Sequence, residues 1–249
     1  MKTALICQPC GLGDILFLQK RALTLIQEGY EVYWPVVHEF EWLNDYIPQI
    51  NFISWDDKDK KLTGPPLPDH VKFPYKDLYQ YSTKTGHYGD CYFFQGFIDV
   101  HPIMAGKYMS VGMDWRDWRH WIKFNRNEKK ENELYYDVLG LKDNEEFDFV
   151  NRKYGVRPEI YIASRIPIDS NVKTVELDIY PEFTLFDWFR VFENCKKINM
   201  IETSLNYIFE SPQMYDIIKS KKELNLYSRH NNFNEVQYLF SLPWNYKFI

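Results

Sequence analysis

The chain has 249 residues, enough for one large domain or two compact ones. Apolar residues make up 45% of it, so a substantial core can be buried, while the net charge of −5 excludes a globally basic nucleic-acid binder and leaves room only for a local basic patch. No run of about 18 apolar residues occurs to span a membrane. The apolar start Ala4-Leu5-Ile6 is too short for a secretory signal. With cysteines at 7, 10, 91 and 195, the expectation is a cytoplasmic protein with free thiols.

Lys2 to Cys7 reads as a short buried strand and Gln8 to Asp14 as a turn with two glycines. Ile15 to Glu28 reads as a helix, with Ile15, Leu18, Leu23, Leu25 and Ile26 on a broad apolar face. Gly29 is placed to cap its end. Glu31 to Val37, rich in β-branched and aromatic residues, is a second strand. Strand, helix and strand at this spacing make a βαβ unit, which requires parallel strands. Phe40 to Tyr46 reads as a short helix and Asn51 to Trp55 as a strand. Residues 56–90 are loop-rich, with a charge run from Lys58 to Lys61 and a Gly64-Pro65-Pro66-Leu67-Pro68 stretch that forbids regular structure. Phe93 to Ile103 is apolar and fits either state; Lys107 to about Leu139 reads as mainly helical.

Gly140 and the acidic stretch from Asp143 to Glu146 mark an expected boundary between domains 1–140 and 141–249. A second α/β pattern follows. Phe147 to Asn151 is a strand entering a turn from Arg152 to Arg157. Glu159 to Ala163 and Thr174 to Leu177 are strands, Thr184 to Cys195 is a helix, and Asn199 to Glu202 is a short strand. Ser204 to Glu210 starts another helix, Leu224 to Tyr227 is a strand, and Phe233 to Phe240 closes as a helix. The fold class is α/β, with two Rossmann-like halves.

Cys7-Gln8-Pro9-Cys10 has the spacing of a redox pair, but Cys7 belongs to a strand end and a glycine turn follows Cys10, so a packing and turn role is preferred. The glycine turn Gly11-Leu12-Gly13-Asp14 lets backbone approach a ligand. A dinucleotide fingerprint needs a third glycine, where Leu16 stands, and an acid at the end of the second strand, which ends Trp34-Pro35-Val36-Val37. A Walker-type Gly-Lys-Ser/Thr is absent too. There remains a carboxylate, Asp14, at the mouth of a parallel sheet, able to accept a proton from an attacking hydroxyl or simply to cap the helix.

Gly11-Leu12-Gly13-Asp14-Ile15-Leu16, with Tyr30-Glu31-Val32-Tyr33-Trp34 beyond it, resembles the amino-terminal segment of the heptosyltransferases of lipopolysaccharide synthesis. More broadly it is similar to GT-B glycosyltransferases, including short phage- and virus-encoded ones. The resemblance covers about 35 residues. It implies two Rossmann-like domains facing a central cleft and inverting transfer from a nucleotide diphosphate sugar, with no resident cofactor or metal. Carried over, the role of general base falls on Asp14, with Gly11 and Gly13 beside it on the acceptor side. His38, after the second strand, reads either as a further acceptor-side residue facing the cleft or, by preference, as structural.

In that architecture the carboxy-terminal half holds the donor. Asn151-Arg152-Lys153-Tyr154-Gly155 then offers two cations and a glycine to a diphosphate, with Arg165 and Lys173 as second candidates. Glu202 could accept from ribose hydroxyls, and Thr203 and Ser204 could hold a phosphate. The heptosyltransferase motif at this place has a glycine and a histidine, for which Ser204 and Tyr207 stand here, so the resemblance implies a glycosyl donor without implying heptose. None of the six histidines, including His38, has metal-ligand spacing. In Asp114 to Lys130, Trp115, Trp118 and Trp121 recur every third residue. The stretch reads either as an amphipathic helix with its Trp ridge on the core or as a DNA-binding surface carried by Arg116, Arg119 and Lys123. A phage-type transferase acting on modified DNA bases and a non-catalytic nucleotide- or sugar-binding protein stand as the alternative functions.

Overall fold

The computed structural model describes residues 2–8, 11–56, 61–62, 85–88, 91–94, 103–109, 111–156, 159–169, 171–229 and 237–248. The chain divides into two compact units, Met1–Lys123 and Phe124–Ile249.

Ala4, Leu5 and Ile6 are all fully buried, which demands a strand covered on both faces, and β1 (Lys2–Cys7) is that strand. β2 (Tyr30–Val37) runs parallel to it, with Lys2 opposite Tyr30 and Leu5 opposite Tyr33. The crossover is α1 (Leu12–Gln27), which buries Ile15, Leu16, Phe17, Leu18, Ala22 and Leu25. Gly29, at φ +88°, ends it and donates to the Ile26 carbonyl at 3.0 Å, the cap its sequence position implies. β3 (Asn51–Asp56) adds in parallel beyond β2, and β6 (Cys91–Phe94) pairs in parallel with the other side of β1. β4 (Lys61–Leu62) and β5 (Thr85–Tyr88) pair antiparallel at the two edges, giving the order β4-β3-β2-β1-β6-β5. The chain therefore builds outward from β1 through β2 and β3, then crosses to β6 on the far side. The reversal lies between β1 and β6.

The stretch expected to be helical from Lys107 to Leu139 is broken into short pieces. A helix covers Ile103–Met109, a 3-10 turn Trp118–Trp121, a helix Glu128–Asn132 and a π-helical turn Glu133–Val138. Side chains of α1 dictate this path. Trp118 is buried against Phe17 with ring centroids 5.2 Å apart. Lys20 pairs with Asp117 and donates to the Asp114 carbonyl at 2.7 Å. Gln19 accepts from the Lys123 amide at 3.0 Å and donates to the Lys123 carbonyl. Local periodicity loses to these long-range bonds.

Residues 124–140, read from the sequence as part of the first half, pack on elements of the second unit. Phe124 stacks on Phe189 at 4.9 Å, and Arg126 sits between Glu131 and Glu193.

In the second unit, β7 (Asp148–Asn151) is buried at all four positions and is an inner strand of a parallel sheet. Its neighbours are β10 (Thr174–Glu176) and β11 (Lys197–Ile201), followed by β12 (Glu223–Tyr227) and β13 (Asn245–Lys247). The order β10-β7-β11-β12-β13 is the doubly wound order 2-1-3-4-5, with its reversal between β7 and β11. The helical segment after Thr184 begins on a capping box with Asp187, whose carboxylate accepts from the Thr184 amide at 2.7 Å.

Two features depart from the sequence reading. The expected turn over 152–157 is instead β8 (Lys153–Val156), which pairs antiparallel with β9 (Glu159–Ile162) as a separate hairpin. Tyr154 of this hairpin packs on Val150, Ala163, Ile166, Ile201 and Tyr227, so the hairpin is seated over the carboxyl ends of β7, β11 and β12. The helix expected over Phe233–Phe240 lies half outside the described residues; Gln237 to Leu239 form a turn and Phe240 has no regular structure.

Candidate functional site

Open α/β sheets bind ligands beyond the carboxyl ends of their strands, where the strand order reverses. Each unit has one such place, and each carries one of the motifs singled out above.

In the first unit the place is the end of β1. Gly11 has φ +84° and ψ +102°, a conformation foreign to residues with a Cβ, and its carbonyl accepts the Ile15 amide at 3.1 Å. The helix therefore starts at Leu12, earlier than expected, and Asp14 lies in its first turn rather than in the preceding loop. A Cβ on Gly11 would overlap Oδ2 of Asp14 and sit 3.3 Å from its Cγ. The glycine is what gives the carboxylate its room.

The other oxygen, Oδ1, accepts from the ammonium of Lys107 in the helix Ile103–Met109. The Lys107 side chain is only 7% exposed, whereas that of Asp14 is 27% exposed. Lys107 also approaches Oε1 of Gln8 at 3.4 Å, and the Gln8 carbonyl accepts from the buried Trp34 indole at 2.9 Å. The end of β1 is thus tied to the core of β2, and Asp14 is a fixed carboxylate with one oxygen held and an edge open to water. Gly13 lies beside it within the same first turn. His38 does not join the cluster: it starts the 3-10 turn after β2, its side chain is 81% exposed, and Nδ1 pairs with Glu41 at 2.9 Å.

In the second unit the place is the end of β7 and β11. Asn151, buried at the end of β7, accepts from the Lys153 amide at 3.0 Å and donates to the Thr203 hydroxyl at 3.4 Å. Arg152, Lys153, Glu202 and Thr203 are thereby brought to one sheet end. Arg152 is clamped on Glu176, the last residue of β10, by bonds of 2.8 and 2.6 Å, and this carboxylate holds its guanidinium pKa above the ordinary value. Lys153 pairs with Asp178, whose carboxyl pKa this ammonium lowers. The two cations therefore arrive with two carboxylates, which an incoming anion has to outcompete. Gly155, at φ +105° on β8, is exposed in the hairpin.

Thr203 gives its amide to Asn206 at 3.0 Å, and Ser204 caps a helix of five residues, Leu205–Phe209, without a side-chain bond. Glu202 follows β11, half-closed from solvent, with Arg229 3.7 Å away. Arg165 is exposed after β9 and has no ion-pair partner among the described residues. Lys173 is at the opposite end of the sheet. Its carbonyl accepts from Asp148 at the start of β7, and its ammonium pairs with Glu145 at 2.7 Å. A residue that precedes β10 sits at the amino edge, so it cannot share a ligand with Arg152.

The stretch from Asp114 to Lys130, read as an amphipathic helix or as an anion-binding surface, does not form a continuous helix. Trp118 is buried, the Trp121 indole donates to Asp117 at 3.0 Å, and Arg116 pairs with Asp114 at 3.3 Å. Arg119 lies in the 3-10 turn, and Lys123 is held to α1 through its backbone. Cys10, His70, His101 and His230 lie outside the described residues. Among the described residues no group of three or more His, Cys, Asp or Glu is placed to hold a metal ion, and no helix is long and apolar enough to cross a membrane.

Sequence reasoning missed Lys107, Gln8, Glu176 and Asp178. Lys107 carried a usable signal: a single lysine inside the apolar Ile103–Met109 segment needs an anion when buried.

No protein-family model and no curated protein matches the chain. Among solved structures it is similar to the glycosyl transferase family 9 protein of Veillonella parvula, at 11% identity and a TM-score of 0.53, over 100% of this chain and 86% of that one. TibC, an iron-containing dodecameric glycosyltransferase of enterotoxigenic E. coli, matches at 12% identity and a TM-score of 0.43, over 100% of this chain and 62% of its own. The E. coli heptosyltransferase WaaC with ADP-2-deoxy-2-fluoro heptose matches at 12% identity and a TM-score of 0.38, over 92% of this chain and 88% of its own. The chain thus has the α/β fold found in the family 9 glycosyl transferase of Veillonella parvula.

Proposed function

We propose that the chain is a nucleotide-sugar-dependent glycosyltransferase whose two units are the halves of a GT-B enzyme. The observation that carries this reading is Asp14: a fixed, partly open carboxylate at the switch point of the first sheet, on a fold shared with a family 9 glycosyl transferase. Such a carboxylate can take the proton of an acceptor hydroxyl as that oxygen attacks the anomeric carbon of the donor. The bond from that carbon to the diphosphate breaks in the same displacement, which inverts the centre.

The leaving diphosphate needs cations or backbone amides. Arg152 and Lys153 at the second switch point are the proposed partners, with Gly155 allowing close approach and Arg165, which has no ion-pair partner among the described residues, in reserve. Glu202 is proposed to meet the ribose, and the Thr203 and Ser204 hydroxyls a phosphate. With side-chain cations in that role the reaction proceeds without a metal. Lys173 drops out because of its place at the other edge.

The test is thermal stabilisation by ADP, GDP, UDP and dTDP. A diphosphate that binds the native chain at 100 times its Kd stabilises it by about 2.7 kcal/mol, an easily read shift. The reading expects a shift with at least one of the four that shrinks in Arg152→Gln. No shift with any of them contradicts it. A shift without hydrolysis of the matching nucleotide sugar, with or without added saccharide, would favour the non-catalytic binding protein instead.

A further inference from the structure

The two oxygens of Asp14 are not equivalent. Oδ1 is engaged by Lys107, and Oδ2 lies over Gly11, where the missing Cβ leaves space. Lys107 is itself almost sealed from water, so it has no surface to offer a substrate. Burying an ammonium is costly unless an anion compensates it, and Asp14 supplies that anion, with Gln8 beside it. Gln8 is buried in turn and fixed by the chain end of β1.

Resting on the reading of Asp14 as base, we infer that Oδ2 is the oxygen that takes the acceptor proton, and that Lys107 is a positioning residue that locks the carboxylate through Oδ1. The hydroxyl then meets Oδ2 at the water-exposed edge of the carboxylate, a position that the absent Gly11 Cβ leaves Oδ2 room to occupy. The proton moves from the hydroxyl oxygen to Oδ2 as the new bond to the anomeric carbon forms. Lys107 keeps its own proton throughout. Gln8 aligns the ammonium from the other side, so that its hydrogens point at Oδ1.

The experiment measures hydrolysis of ADP-, GDP-, UDP- and dTDP-glucose by the full chain. In Lys107→Met, kcat on the best of these donors is expected to fall about 100-fold, the cost of misplacing a reacting group by about 1 Å, with donor KM unchanged. Lys107→Arg, which again offers a cation to Oδ1, is expected to recover part of that loss. If Lys107→Met does not fold, Lys107→Ala assayed with propylammonium decides. Saturable recovery, absent in Asp14→Asn, supports the inference. No recovery overturns it. Wild-type kcat in a folded Lys107→Met also overturns it. Wild-type kcat in Asp14→Asn would instead remove the base reading itself, so the two failures are told apart.

Discussion

Gly11 and Gly29 form a natural pair of perturbation and control. Both have positive φ, +84° and +88°, so an alanine at either strains the backbone. That strain is on the order of 1–2 kcal/mol, which for a chain of this size lowers the melting temperature by roughly 2–8 °C. Their surroundings differ. A Cβ on Gly29 meets nothing within 4 Å, whereas one on Gly11 overlaps Oδ2 of Asp14. In Gly11→Ala the carboxylate has to swing away by about 1 Å, a displacement that costs on the order of 100-fold in rate at a reacting group. Melting curves and nucleotide-sugar hydrolysis on the two variants give the answer. Gly29→Ala should lose stability and keep turnover; Gly11→Ala should lose at least as much stability and most of its turnover. Equal turnover in both variants would refute the idea that the glycine makes room for a working carboxylate.

Other consequences concern the second unit. Glu210 is buried and accepts from the Ser241 amide, the Ser241 hydroxyl and the Leu242 amide at 2.7–2.8 Å. Glu210→Ala strands those donors and should lower the unfolding free energy by about 3–5 kcal/mol in urea titrations, with faster proteolysis near residues 237–248. Arg152→Gln and Lys153→Gln should each weaken diphosphate binding by roughly tenfold in calorimetry, about 1.4 kcal/mol. Burial pushes the Cys195 thiol from its usual 9.0 up to about 12. Because the folded value lies above the unfolded one, the stability this gives is complete below pH 9 and is lost as pH rises through about 12. Cys195→Ala should therefore flatten the fall in urea midpoint measured between pH 8 and 11, a fall that the thiol steepens by up to about 1.4 kcal/mol per pH unit.

What the sequence revealed depended on how local the cause was. The βαβ start is legible because the apolar run Ala4-Leu5-Ile6, the helical face after Ile15 and Gly29 each act within a few residues. The parallel strands β7, β11 and β12 show through their apolar residues for the same reason, and β10 through the β-branched pair Thr174-Val175. β13 does not, because Asn245-Tyr246-Lys247 has no apolar run and becomes a strand only by pairing with β12. Of the β8–β9 hairpin, β9 was legible as a strand and β8 was not, because Gly155 and two cations mimic a turn, while the Tyr154–Tyr161 stack that closes it, at 5.4 Å, joins residues on different strands. The broken path after Met109 follows from Lys20 and Gln19, some hundred residues earlier in the chain. At the site, the carboxylate was legible in Gly11-Leu12-Gly13-Asp14. Its partner Lys107 was not, since nothing near residue 107 points back to residue 14.

On the proposed function, Asp14 performs the proton transfer and contributes nothing essential to donor binding. Hydrolysis of the best nucleotide sugar by Asp14→Asn, alongside thermal shift with the matching nucleoside diphosphate, tests it most directly. Turnover is expected to fall by about 100- to 10,000-fold, the usual worth of a general base, with the thermal shift unchanged. Turnover equal to that of the unaltered chain, with the donor still bound, would contradict it.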